Sequence, residues 1–238
     1  MQSSTAGQFS EIERAIGEAG VDGIIFAPLE VNEVAPLIEK AKASGLSVVV
    51  MGTGAFTNFP SIGVEDSMSA AAAGFICENA GKESQAAILE GSTSNPISRL
   101  RSESAKVKLS ECGIKVVETA VADWDTEKAK NIMADILGKY PDIKSVFALD
   151  DNMAVGAAEA VRQAKKSGIA VVGWDLSSAM LDGIKSGDIA AAVMADPANM
   201  GALALKTILK VSNRGSAEHI VDPGTVIVTR GNVESFLH

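Results

Sequence analysis

Carboxylates and tryptophans recur where short β-prone runs end: Asp123-Trp124-Asp125, Asp150-Asp151, Trp174-Asp175 and Asp196, with Glu30 and Glu90 nearer the start. A carboxylate accepts hydrogen bonds from two vicinal hydroxyls, and an indole face covers the C–H side of a sugar ring, so this pairing suits a polyol. Phosphate would call for glycine-rich loops and cations. Gly52-Thr53-Gly54 follows a strand, but the third glycine and the opening helix of a dinucleotide loop are missing. Arg99 and Arg101 stand at the start of an expected helix, where the helix dipole disfavours a cation, so one of them is expected to face a ligand.

Each of these residues also has a purely structural reading. Asp175 either contacts a ligand or caps the helix beginning near Ser178; Asp150 is expected to reach a ligand while Asp151, its neighbour, caps the next helix. Trp124 and Trp174 are the only tryptophans, and both stand at strand ends, where a core residue is less expected. Trp124 is the stronger ligand platform, and Trp174 serves equally well as packing.

Other chemistry finds little support. His219 and His238 lie outside any cluster, so neither a metal site nor a Ser/His/Asp triad assembles, and no catalytic residue, cofactor or metal is expected. Cys77 and Cys112 lack the paired spacing of a zinc or redox motif and are expected to be free thiols. A formal charge of −9 with scattered Lys and Arg argues against nucleic acid. Met1 to Ser10 is polar, unlike the basic-then-apolar profile of an export signal, and no stretch has the apolar length of a membrane span.

The elements that position these residues follow from alternation. Expected strands are Gly23 to Ala27, Ser47 to Met51, Ala86 to Glu90, Lys115 to Ala120, Ser145 to Leu149, Ala170 to Trp174, Ile189 to Met194 and Val226 to Thr229, apolar enough to be buried on both faces. Between them, helical periodicity covers Phe9 to Ala19, Val34 to Ser44, Ser67 to Ala80, Ser98 to Ser110, Thr126 to Lys139, Asn152 to Lys166, Ser178 to Ser186 and Asn199 to Ser212. Strands and helices in this rhythm specify an α/β fold with parallel sheets, whose ligands sit beyond the carboxyl ends of the strands. With 238 residues and no low-complexity linker, two halves would be joined by short crossings at Val64 to Ser67, Ala195 to Pro197 and Gly224 to Val226.

Several stretches together resemble one family. They are Gly20-Val21-Asp22-Gly23-Ile24-Ile25 before Pro28, Asp123-Trp124-Asp125 with Tyr140-Pro141-Asp142-Ile143, the run Val146-Phe147-Ala148-Leu149-Asp150-Asp151-Asn152-Met153-Ala154-Val155-Gly156-Ala157, and Val171-Val172-Gly173-Trp174-Asp175. They resemble the periplasmic sugar-binding proteins of the ribose-binding type, the substrate-capturing subunits of ABC importers. The resemblance implies two Rossmann-like lobes joined by three crossings, residues 1–65 and 197–225 in the first and 66–196 and 226–238 in the second. It also implies a ligand held in the cleft between the lobes, delivery to a membrane permease, and a periplasmic location.

Arg101, Trp124, Asp150 and Asp175 match the family's ligand contacts in the second lobe, with Asp150 where Asn is common. Gly52-Thr53 stands in place of an Asp-Arg pair in the first lobe, leaving Thr53 as the contact expected there, and Ala195 replaces a common Gln. The family's first strand, helix and second strand have no counterpart, so the first lobe is expected to be incomplete: either the sequence is truncated, or the lobe is completed by association, as a homodimer joined edge to edge near Ile24 to Ala27 or by a segment exchanged between copies. Two other classes share such a fold: the effector domain of a transcription repressor without its DNA-binding headpiece, and an enzyme using Asp150 and Asp175 as acid and base.

Overall fold

The computed structural model describes residues 5–28, 31–52, 59–63, 65–93, 95–213 and 215–236, and all structural statements concern these. Thr53 and Glu30, named above as strand-end residues, lie outside them. In chain order the elements are α1 (Thr5–Gly17), β1 (Gly23–Phe26), α2 (Val31–Ala43), β2 (Ser47–Met51), β3 (Ser61–Ile62), α3 (Glu65–Ala80), β4 (Gln85–Glu90), α4 (Pro96–Glu111), β5 (Lys115–Val121) and α5 (Thr126–Lys139). They continue with β6 (Ile143–Ala148), α6 (Asp151–Gln163), β7 (Ala170–Trp174), α7 (Ser178–Ser186), β8 (Ala191–Ala195), α8 (Pro197–Ser212), β9 (Ile220–Val221) and β10 (Thr225–Thr229), and a 3-10 turn at Val233–Phe236. No helix among the described residues is long and apolar enough to cross a membrane.

The chain divides into two compact units, Met1–Glu65 with Asp196–Gly224, and Asp66–Ala195 with Thr225–His238. In the first, a parallel sheet runs β1-β2-β3-β9. Period-two alternation sends Val48 and Val50 to one face, against Ile12 of α1 and Val34, Ile38 and Ala41 of α2. Val49 goes to the other, against Ala204 and Ile208 of α8. Burial on both faces is why this strand reads as an unbroken Val run. Gly23 leaves room for α8: a Cβ there would come within 2.8 Å of Ile208 Cδ1. β1 stands at the edge of the described sheet, and Ile25, on its α8 side, is 37% exposed.

The second unit holds the sheet β10-β8-β7-β6-β4-β5, parallel except for β10, which runs antiparallel to β8 with Thr225 opposite Ala195. Ile88, Leu89, Phe147, Val172 and Val193 are fully buried along its strands. Helices α5 and α6 cover it in close contact, and Gly156 permits that approach, since a Cβ there would fall on the Thr126 carbonyl oxygen.

Two expectations are corrected. The final strand returns antiparallel, which its composition alone does not reveal, and the two-residue strands β3 and β9 are too short for any periodicity to register. Cys77 and Cys112, expected to be free, form a disulfide with Cα atoms 5.9 Å apart. α3 brings Cys77 near its C-terminal end beside Cys112, the C-cap of α4; this is a tertiary juxtaposition that the 35-residue separation gave no sign of.

Candidate functional site

The parallel strands of the second unit all end on one rim, and their order places the residues following β5, β4, β6 and β7 side by side. Along that rim stand Trp124, Gly91, Asp150 and Asp175 in turn. Arg101 reaches the same place from α4. Its Nη1 donates to the Leu149 carbonyl at 2.6 Å, and its guanidinium lies 3.7 Å from the centroid of the Trp174 ring. Trp174 is 2% exposed, so its indole forms a buried floor on which the cation is braced flat. Of the two readings open for it, Trp174 takes the packing one, as a core residue that also orients a polar one. Arg99 points away: it is exposed and sits 4.0 Å from Glu103.

Asp150 is the cap of α6, where Asp151 was expected. β6 ends at Ala148 and Leu149 N–H still extends the ladder to the Leu89 carbonyl, so the chain turns at Asp150 in extended backbone and its Oδ1 accepts the Met153 N–H at 2.8 Å. Asp151 becomes the first helical residue. Burial pushes the Asp150 carboxyl up to about 6, opposed by the Met153 N–H and by Arg101, and reinforced by the negative charge of Asp151. Asp175 caps nothing; Ser177 caps α7. Its N–H donates to the Val193 carbonyl at 2.9 Å, and its φ is +63°. The Asp175 side chain keeps a face open to solvent, but the surrounding protein removes enough hydration to raise its pKa, with Arg101 pulling the other way and Asp151 adding to the rise.

Trp124 follows β5 through two successive left-handed residues, Asp123 at φ 54° and Trp124 at φ 64°. The turn is pinned on both sides: Ala122 N–H donates to the Glu90 carbonyl at 2.8 Å, Asp125 Oδ1 caps α5 by accepting from Lys128 N–H at 2.7 Å, and Lys128 pairs with Asp123. The indole is half-buried, one face against Gly91.

Among the described residues, Glu90 and Asp196 at the other strand ends are taken up by structure. Glu90 accepts from the Ser102 hydroxyl and from Lys106 Nζ at 3.2 Å, tying α4 to β4, and Asp196 caps α8. Among the described residues no group of three or more His, Cys, Asp or Glu could hold a metal ion. What gathers on the rim is one braced guanidinium donor, two under-solvated carboxylate acceptors and an aromatic face, a set that matches hydroxyl groups attached to an apolar ring. Gly91 stands at a strand end in the sequence, but followed by Ser92-Thr93-Ser94-Asn95-Pro96 it reads as an ordinary turn glycine, and nothing there assigns it a role toward Trp124.

The model of the periplasmic binding protein domain matches residues 1–216. A D-ribose/D-allose-binding protein of Pseudomonas aeruginosa is 26% identical over 93% of this chain and 72% of its own length. A ribose import binding protein of Bacillus subtilis is 32% identical over 85% of this chain and 67% of its own. The chain therefore spans about two thirds to three quarters of the length of these relatives. Among solved structures, an ABC transporter periplasmic solute-binding protein from Actinobacillus succinogenes with bound D-allose superposes with a TM-score of 0.86, at 26% identity, over 98% of this chain and 87% of that one.

Proposed function

Because the chain belongs to the periplasmic binding protein domain family, we propose that it captures a sugar or related polyol by closing its two units over it, without making or breaking a bond, and hands it to an ABC transporter. The observation that carries this reading is the Arg101, Asp150 and Asp175 group at neighbouring strand ends, with the cation braced on Trp174. A guanidinium with several N–H donors held in one plane, flanked by two carboxylates, can satisfy adjacent hydroxyls in both directions. The relatives named for D-ribose and D-allose supply the first ligands to try.

Asp175→Gly is the direct test, since glycine tolerates φ +63° and the backbone need not move. Losing a buried hydrogen bond to a ligand hydroxyl costs about 1–3 kcal/mol, or roughly fivefold to 150-fold in Kd. Calorimetry with D-allose and D-ribose should show that loss with a near-parental melting temperature. Equal affinities for parent and variant would remove Asp175 from the site.

Disulfides persist in oxidising compartments, so the Cys77–Cys112 bridge supports a periplasmic location. The partners in this reading are the membrane permease and a second copy of the chain, paired along β1, which is the edge strand of the described sheet and carries the exposed Ile25. Sedimentation at micromolar concentration should then give a dimer, and a strict monomer would withdraw the second copy.

A further inference from the structure

We propose that Gly91 is a positioning residue for Trp124, and that the missing side chain at position 91 sets the height of the indole above the strand rim and so the thickness of ligand that fits beside it. The indole lies so close over Gly91 that a Cβ built there would fall on ring atoms Cζ2, Cε2 and Cη2. Backbone conformation does not explain the glycine, because Gly91 is absent from the positive-φ residues. Its identity is therefore a matter of the space the ring occupies.

Neither partner is free to drift. Gly91 is buried directly after β4, whose Glu90 is anchored through its side chain to Ser102 and Lys106 and through its carbonyl to Ala122 N–H. Trp124 is held in a left-handed conformation that a bulky residue avoids and that persists only where its surroundings impose it. The Asp123–Lys128 pair and the Asp125 cap impose it from the α5 side. A methyl group at position 91 needs about 3.5–4 Å to the ring carbons. With the backbone pinned at both ends, that space comes from lifting or turning out the ring.

The ligand half of this inference rests on the sugar-binding reading; the seating half does not. With two tryptophans in the chain, 5-fluorotryptophan labelling gives two fluorine resonances, and the one lost in Trp124→Phe belongs to Trp124. Gly91→Ala should displace the Trp124 resonance and leave that of Trp174 in place. An unmoved Trp124 resonance overturns the proposal. If Gly91→Ala fails to fold, adding Trp124→Ala should restore folding by removing the clash, and a double variant that stays unfolded overturns the proposal equally.

For the ligand half, Gly91→Ala should weaken D-allose or D-ribose binding tenfold or more in the parent and have no further effect in the Trp124→Ala background. Effects that simply multiply would show that Gly91 acts other than through the ring. A parent that binds neither sugar would defeat the functional reading while the fluorine spectra still decide the seating.

Discussion

Replacing Cys77 and Cys112 with serine is expected to lower the stability of the second unit by about 4 kcal/mol, the chain-entropy value for a loop of this length. The bridge ties the C-terminal ends of α3 and α4, two helices otherwise separated by β4, and so restricts the unfolded chain across a 35-residue span. Urea unfolding followed by far-UV circular dichroism should show a lower midpoint for the double variant, and the same lowering when dithiothreitol is added to the parent. If neither treatment moves the midpoint, the two sulfurs are not joined in solution.

The second large effect concerns Asp150. Its folded-state pKa of about 6 lies above the ordinary 3.8, so folding favours the protonated form. The stabilisation linked to this group is therefore fully present below pH 3.8 and is lost as pH rises through 6. At neutral pH the native state carries a half-buried carboxylate at a cost of about 1–3 kcal/mol. Asp150→Asn keeps an oxygen to accept the Met153 N–H and removes the charge, so it should stabilise the ligand-free protein by that amount at pH 7.5 and by little at pH 4. Melting temperatures across this range should slope less steeply with pH in the variant. Identical slopes would show that Asp150 is well solvated. Sugar affinity should move the opposite way, since the under-solvated carboxylate is the acceptor that a hydroxyl ligand would satisfy.

The fold class was legible because local signals agree with one another. Val and Ile runs such as Ser47–Met51 are buried from both sides, and the helices between them carry their own caps, as Asp125 and Ser177 do. Features that depend on distant packing were less legible. The Cys77–Cys112 pairing and the antiparallel return of β10 depend on where remote segments come to lie.

At the rim, Asp150 and Asp151 are adjacent carboxylates, and choosing the cap requires knowing the last residue of β6 to within one position, finer than periodicity resolves. Trp174 was ambiguous for a different reason: an indole can be core on one side and support a guanidinium on the other, and only the position of Arg101 reveals the second role. Gly91 gave almost no signal, because a glycine required by a distant ring looks the same in sequence as one required by a turn.

The first unit is assembled from two stretches of chain, with Ser61 of β3 lying opposite Ile220 of β9. During synthesis the ribosome delivers β4 to β8 in one uninterrupted run between them, whereas the α8 face of Val49 and Ile62 stays bare until Asp196–Gly224 has emerged. The order of translation therefore lets five of the six strands of the unit that carries the rim assemble early, with β10 added last, while the other unit holds an open apolar surface until α8 and β9 follow.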